Sequence, residues 1–484
     1  HGLLELIGFH QIPGFFKICQ SMKRQVKENT TKQKKFLGHF APSKNWKILF
    51  VPSLLFFLGI QFVSASNLKP LSEKDFLPVN QKKVRLGRLL FYDPILSGNR
   101  NISCGTCHNH IHHGADGLSL GVGEGGVGLG PDRTAGKGNS RIQKRIPRNS
   151  PSLFNLGAHQ IKVMFYDGKL SPGWGYENGF NSPAEEWLGQ GLDNLLAAQS
   201  LLPMASEFEM AGNSGENQVA GAIYDRIDQG WPILTKRVRT IPEYGKMFVE
   251  AFDDIQNPSD VRIFHIGNAL SEFINFEWRS YDSPFDEFLM GHEEALNPKQ
   301  KKGMELFYGK AQCAQCHQGI LFTDQKFHAL AIPQFGPGRT RPFDPYVRDV
   351  GRMVETDRLE DAYRFRTPSL RNVAVTAPYG HNGAYADLEG IIRHHLDPLK
   401  SLENWDPKQV ILADAPWLSE IDFVVLEDRF ERERLKSHLD ITPISITENE
   451  IAQIISFLEG LTGENSIHGE LGKPDRVPSG LPID

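Results

Sequence analysis

Cysteine is scarce in this chain, with five thiols among 484 residues. Strand signals are few, no βαβ pattern is visible and no short internal repeat recurs, so a thioredoxin-like redox fold and a solenoid find no support. The glycine-rich stretch 114–139 is not followed by Gly-Lys-Ser/Thr, which removes a phosphate-binding loop. Basic residues are not in excess: 53 Lys and Arg stand against 58 Asp and Glu. That balance argues against nucleic acid as a partner. An apolar run long enough to cross a membrane is also missing. Residues 48–63 (ILFVPSLLFFLGIQFV) number only 16 and include Pro52.

That run has another reading. Residues 1–47 carry nine Lys or Arg and two acids, Lys44 and Lys47 precede the run, and Val63-Ser-Ala65 follows as a small-residue cleavage site. This is the layout of a secretory signal peptide. The expectation is that residues 1–66 are a signal peptide with a disordered upstream segment, Met22 being the candidate start. An uncleaved membrane anchor is the alternative. Export places the protein in the periplasm and moves the net charge from −5 to about −12. An acidic surface would suit a basic electron donor.

What remains is pointed. Removing Cys19 with the leader leaves four cysteines, in Cys104-Gly-Thr-Cys107-His108 and Cys313-Ala-Gln-Cys316-His317. Cys-x-x-Cys-His is the pattern of c-type haem attachment. Two thiols at this spacing add to the two haem vinyl groups, and the adjacent histidine meets the iron. One structural zinc held by both pairs is the rival reading, but zinc-site pairs usually lie some tens of residues apart. Two haems use all four thiols and leave none for a disulfide.

Each motif follows a similar segment, Arg88-Leu-Leu-Phe-Tyr-Asp93 and Met304-Glu-Leu-Phe-Tyr308, so two domains of one general kind are expected. Residues 261–278 place Ile263, Ile266, Ala269, Leu270, Phe273 and Ile274 at helical spacing and predict a long helix. Residues 445–461 predict a closing helix, with Thr447 and Glu450 spaced as a capping box. High glycine and proline (46 and 30) imply long loops. Stretch 114–139 is expected to wrap the first haem.

An ordered set of further segments carries a family resemblance: Leu86-Gly-Arg-Leu-Leu-Phe-Tyr-Asp93, Arg148-Asn-Ser-Pro-Ser-Leu153, Met164-Phe-Tyr-Asp-Gly168, Pro203-Met-Ala-Ser-Glu-Phe-Glu-Met210, Phe365-Arg-Thr-Pro-Ser-Leu-Arg-Asn372 and Thr376-Ala-Pro-Tyr-Gly-His-Asn-Gly383. Over roughly 70–465 the chain resembles the bacterial dihaem cytochrome c peroxidases and their relatives that mature methylamine dehydrogenase. The resemblance implies a mostly α fold with few short strands and long loops. Two cytochrome c-like haem domains, 67–285 and 286–484, would face each other. The first haem, on Cys104, Cys107 and His108, would meet peroxide. The second, on Cys313, Cys316 and His317, would transfer electrons.

The resemblance also implies a distal glutamate as acid–base group. The family spacing falls on Gln199, Pro203 and Glu209, with Glu207 the fallback. Burial beside a haem would let Glu209 hold a transferable proton, and Gln199 would orient peroxide. Many relatives close the first iron with a histidine from the glycine-rich loop. Ser119-Leu-Gly-Val-Gly-Glu124 has none, and Val122 stands at the expected place, which implies an iron open at rest. His110, His112 and His113 are expected at the surface or beside the haem propionates. His395 stands where relatives place the second haem's Met or Tyr ligand, with His394 as competitor. Tyr166 replaces the family's tryptophan between the haems. Calcium would bind the Asn149 side chain and the Thr376 and Pro378 carbonyls. His381 would be structural or contact a propionate.

These expectations describe a peroxidase that reduces hydrogen peroxide to water with electrons from a small cytochrome c or cupredoxin, with a homodimer implied by the resemblance. A peroxide-dependent oxidase that modifies a protein side chain is the second reading, and a pure electron carrier the third. Two stretches, 171–195 and 398–440, are insertions relative to the family pattern.

Overall fold

The computed structural model describes residues 68–339 and 348–484. The expected leader, with Cys19, lies outside them. The fold is mostly helical. Its strands are two antiparallel two-residue pairs, β1 (Ser171–Pro172) with β2 (Phe180–Asn181) and β3 (Phe327–His328) with β4 (Phe365–Arg366).

The helices that position the site are α1 (Gln81–Tyr92), α2 (Leu195–Leu201), α3 (Ile263–Glu277), α4 (Pro298–Tyr308), α5 (Leu388–Leu396) and α6 (Glu448–Glu459). The long helix and the closing helix predicted from periodicity are α3 and α6. Thr447 caps α6 as expected: its hydroxyl meets the Glu450 carboxylate at 2.9 Å and accepts the Glu450 N–H at 3.3 Å.

The same crossing is built twice. α1 meets α3 at Gly87, where an added Cβ would stand 1.9 Å from the Ala269 carbonyl oxygen. α4 meets α6 at Gly303, where an added Cβ would stand 1.9 Å from the Gln453 oxygen. Only glycine allows backbones this close. Four residues on, one helical turn, Phe91 packs edge-on against Phe273, and Phe307 against Phe457, both at 5.3 Å between ring centres. Burying each such ring contributes about 1.5–3 kcal/mol. Each crossing centres one apolar core. The first gathers mainly residues 84–278, the second mainly 285–461.

Two features were not legible beforehand. Ile467, Leu471, Val477, Leu481 and Ile483, near the C-terminus, pack on the first core. Stretch 398–440 forms four short helices (Pro398–Glu403, Pro416–Asp422, Val424–Glu427, Arg429–Ser437), and its 411–418 part covers the glycine-rich loop. Ala413, Ala415 and Leu418 share a small core with Leu118, Val122, Ala135 and Ile142. The other insertion is the β1–β2 hairpin, with Trp174 fully exposed.

A buried ion network ties the halves together. Arg148 donates to Asp167 at 2.6 Å and to Asp349 at 2.7 and 2.8 Å. Arg145 donates to Asp422 at 2.9 Å. The Asn149 N–H donates to the His381 carbonyl, and the Ser119 hydroxyl to the Gly383 carbonyl.

Candidate haem and peroxide site

One cavity of about 950 Å³ is lined by both Cys-x-x-Cys-His motifs. That is at the upper end of ordinary ligand pockets. Cys104 and Cys107 lie on a single helical turn that brings both sulfurs to one side, and no disulfide uses any of the four thiols. Burial pushes Cys104, Cys107 and Cys313 up to about 12, which keeps these thiols protonated.

Three histidines in the cavity share one arrangement. The Nδ1 atoms of His108, His317 and His395 meet backbone carbonyls, of Gly114 at 2.9 Å, Phe322 at 3.0 Å and Ile391 at 2.8 Å. An Nδ1–H donating to a carbonyl leaves Nε2 with a free lone pair, the arrangement that orients metal-bound histidines. Burial lowers all three. His317 falls to about 4, with the neighbouring His395 contributing. Neutral imidazole is the ligating form.

The His317 and His395 ring centres lie 6.3 Å apart, with the ring planes tilted by 53°. With imidazole nitrogens about 2 Å from a metal on each side, two trans rings would have centres roughly 6 Å apart. His394 is engaged elsewhere: Tyr385 meets its Nδ1 at 2.7 Å, and its Nε2 lies 2.7 Å from the Leu330 carbonyl. It is fully buried and does not line the cavity.

Opposite chemistry gathers near the first motif. The turn Glu207–Ala211 is a π-helical loop in which the amides of Glu209, Met210 and Ala211 all converge on the Ser206 carbonyl. Met210 and Ala211 are buried and anchor it, while half-buried Glu209 lines the cavity. Glu207 is exposed and does not line it. Gln199, on α2, and Pro203 line the cavity beside Glu209.

The glycine-rich loop is fixed from behind. Arg133 donates to the carbonyls of Val122, Gly123 and Gly128. Gly123 lies against the Phe208 carbonyl, and the Glu124 amide donates to the Glu209 carbonyl. Val122 therefore points into the small core with Leu118 and Ile142, and only Asp116 and Gly121 of this loop line the cavity.

His110, His112 and His113 do not line it either. The expectation of surface or propionate-side positions does not describe His110, which packs face-on against Trp278 and bonds to Tyr92 and Glu277. His112 is packed against Gly117 and Gly130, and His113 bonds to the Ile467 carbonyl.

Tyr166, Asn149, Thr376 and Pro378 also line the cavity. Tyr166 is half-buried, desolvation pushes its hydroxyl up to about 12, and its Oη is 3.5 Å from Asn149 Oδ1. His381 stacks on Phe365 at 3.6 Å, and its Nε2 finds no hydrogen-bond partner in the protein. Asp116 Oδ2 is equally without one, and burial pushes this carboxyl up to about 7. Both residues line the cavity, so orphaned polar atoms fit a polar group of a large cofactor. Asp116 was missed in sequence, where it read as one residue of a loop. Cys316, Asp324 and His328 hold ligand-type atoms within 4.8 Å of one another. Since Cys316 belongs to an attachment motif, this cluster is part of the second haem's surroundings.

The donor set fits two haems. Comparisons with known proteins agree. The family described as di-haem cytochrome c peroxidase matches residues 81–294. The methylamine utilization protein MauG of Methylorubrum extorquens is 30% identical over 66% of this chain and 70% of its own length. Cytochrome c peroxidase Ccp of Escherichia coli is 30% identical over 67% of this chain and 55% of its own. In fold, the chain resembles a MauG-like protein associated with microbial copper homeostasis, with a TM-score of 0.52 at 24% identity, covering 88% of this chain and 97% of that one.

Proposed function

The chain belongs to the di-haem cytochrome c peroxidase family, and from that premise we propose that it reduces hydrogen peroxide to water with electrons from a small cytochrome c or cupredoxin. The observation that carries this reading is Glu209 in the same cavity as Cys104, Cys107 and His108.

His108 would hold the iron that meets peroxide, and His317 with His395 the iron that passes electrons. The haems would supply the electrons that cleave the O–O bond. Glu209 takes a proton from one peroxide oxygen and returns it to the other, which departs as water. Gln199 offers an amide to orient the peroxide, and Pro203 shapes the turn that leads to Glu209. Two protons and two electrons convert one hydrogen peroxide into two waters. Tyr166 is the proposed conduit between the two haem domains, which we divide at about 285/286. Calcium at Asn149, Thr376 and Pro378 would stiffen their junction. Its support is that the Asn149 oxygen meets nothing closer than Tyr166.

Export to the periplasm belongs to the same proposal. Among the described residues no helix is long and apolar enough to cross a membrane. Homodimerisation is carried over from the family.

A second reading, oxidation of a protein side chain, is favoured by one feature. Bis-histidine ligation would give the second haem a lower potential than histidine–methionine, and so a readier store of oxidising equivalents. Steady-state peroxide consumption with a reduced c-type cytochrome or cupredoxin separates them. Turnover at tens per second would match a typical enzyme. Consumption of peroxide without oxidation of any donor would overturn the main reading in favour of the second, and no consumption would leave a pure electron carrier.

A further inference from the structure

A hydrogen-bonded row leads away from the first attachment motif. Tyr92 Oη lies 2.7 Å from His110 Nδ1, and His110 Nε2 lies 2.7 Å from Glu277 Oε1. Glu277 is fully buried and also accepts the amides of Leu471 and Gly472. His110 and those two amides hold its carboxyl below the ordinary range although burial opposes them. An ionised Glu277 can only accept, so His110 donates from Nε2 and its Nδ1 accepts the Tyr92 hydroxyl.

The row touches the haem site at two points. The Tyr92 ring lies on the backbone of Gly105, between Cys104 and Cys107; an added Cβ there would stand 2.4 Å from Tyr92 Cδ1. Trp278, face-on to His110, stands beside Gly114, whose carbonyl bonds His108 Nδ1. Nothing in the peroxide chemistry above uses these residues. A tail anchor alone would not need a phenol on the attachment turn with a histidine poised to take its proton.

The geometry points to Tyr92 as a redox-active tyrosine that takes an oxidising equivalent off the first haem, with His110 as its proton acceptor and Glu277 as the positioning residue. This rests on the peroxidase reading for its oxidant, the first haem after reaction with hydrogen peroxide. The Tyr92 O–H bond breaks. Its electron passes to the haem across the Cys104–Cys107 turn, and its proton moves to His110 Nδ1. The imidazolium is then paired with Glu277. An electron from the donor and the proton on His110 restore the phenol. Burial and the Glu277 charge keep the phenol protonated beforehand, so the proton leaves only with the electron.

The test is freeze-quench EPR of the haem-loaded protein after one equivalent of peroxide, in wild type, wild type with ring-deuterated tyrosine, Tyr92→Phe and His110→Gln. A parallel arm uses a photogenerated ruthenium(III) oxidant in place of peroxide. The expected result is an organic radical whose hyperfine pattern narrows on tyrosine deuteration, is lost in Tyr92→Phe, and forms on the order of a hundredfold more slowly in His110→Gln, as loss of a general base would dictate. An unchanged signal in Tyr92→Phe overturns the assignment, as does a wild-type radical indifferent to tyrosine deuteration or no radical with either oxidant. If Tyr92→Phe loads less haem, a tyrosine signal that is retained in Tyr166→Phe and slowed in His110→Gln decides. If peroxide leaves the haem spectrum unchanged while the ruthenium arm yields the Tyr92 radical, the peroxidase reading fails and the redox tyrosine stands.

Discussion

His317 and His395 hold their rings 6.3 Å apart, each with Nδ1 bonded to a backbone carbonyl and Nε2 free. They come from separate parts of the second half, one from an attachment motif and one from α5. Low-temperature EPR of the resting ferric protein should therefore show one low-spin bis-histidine signal. His395→Ala should abolish it, and His395→Met should raise that haem's potential. His394→Ala should keep the signal but lose about 1–3 kcal/mol of stability, because Tyr385 and the Leu330 carbonyl lose a buried partner.

The first haem should be high-spin in the same spectrum. Val122 turns into the small core behind the glycine-rich loop, and Arg133 holds the loop there. Peroxide should then react without prior reduction. A second low-spin signal at rest would show that the iron is closed by another ligand.

Glu209→Gln should lower peroxide turnover by roughly 10²- to 10⁴-fold while leaving haem content and the donor's KM unchanged. Glu207→Gln should change neither, since Glu207 is exposed and outside the cavity. Equal losses in both variants would sink the assignment.

Arg148→Met should destabilise the protein by about 3–5 kcal/mol in denaturant titrations, because it strands Asp349 in the interior and leaves Asp167 with Arg339 alone. Burial alone would raise Asp167, but Arg148 and Arg339 outweigh it and hold its carboxyl well below the ordinary range. A depressed carboxyl contributes stability that is complete above its unfolded value of about 4 and disappears as pH falls towards the folded value. Wild type should lose stability below about pH 4, and Asp167→Asn should flatten that limb of the curve.

Gly87→Ala and Gly303→Ala should each cost at least about 1–3 kcal/mol, the ordinary price of overpacking, since the added carbon has backbone rather than a movable side chain in its way. Thermal melts followed at the two haems should show each change loosening its own half first.

Much of this protein was determined within short stretches of its sequence. The two attachment motifs need only five consecutive residues each. The helices α3 and α6 follow from apolar spacing, and the Thr447 cap from two residues three apart. Such features depend on contacts within one or two helical turns, which local order specifies. Other choices depended on partners hundreds of residues away. Only the fold decided that His394 is spent on Tyr385 and Leu330 while His395 stays free, or that Glu209 rather than Glu207 enters the cavity. Only the fold brought residues 411–418 over the glycine-rich loop, and seated Glu277 and the C-terminal tail beside His110. Those outcomes turn on which side of a helix or loop is buried and against what, and adjacent residues of one type differ there by about 100° of helix rotation.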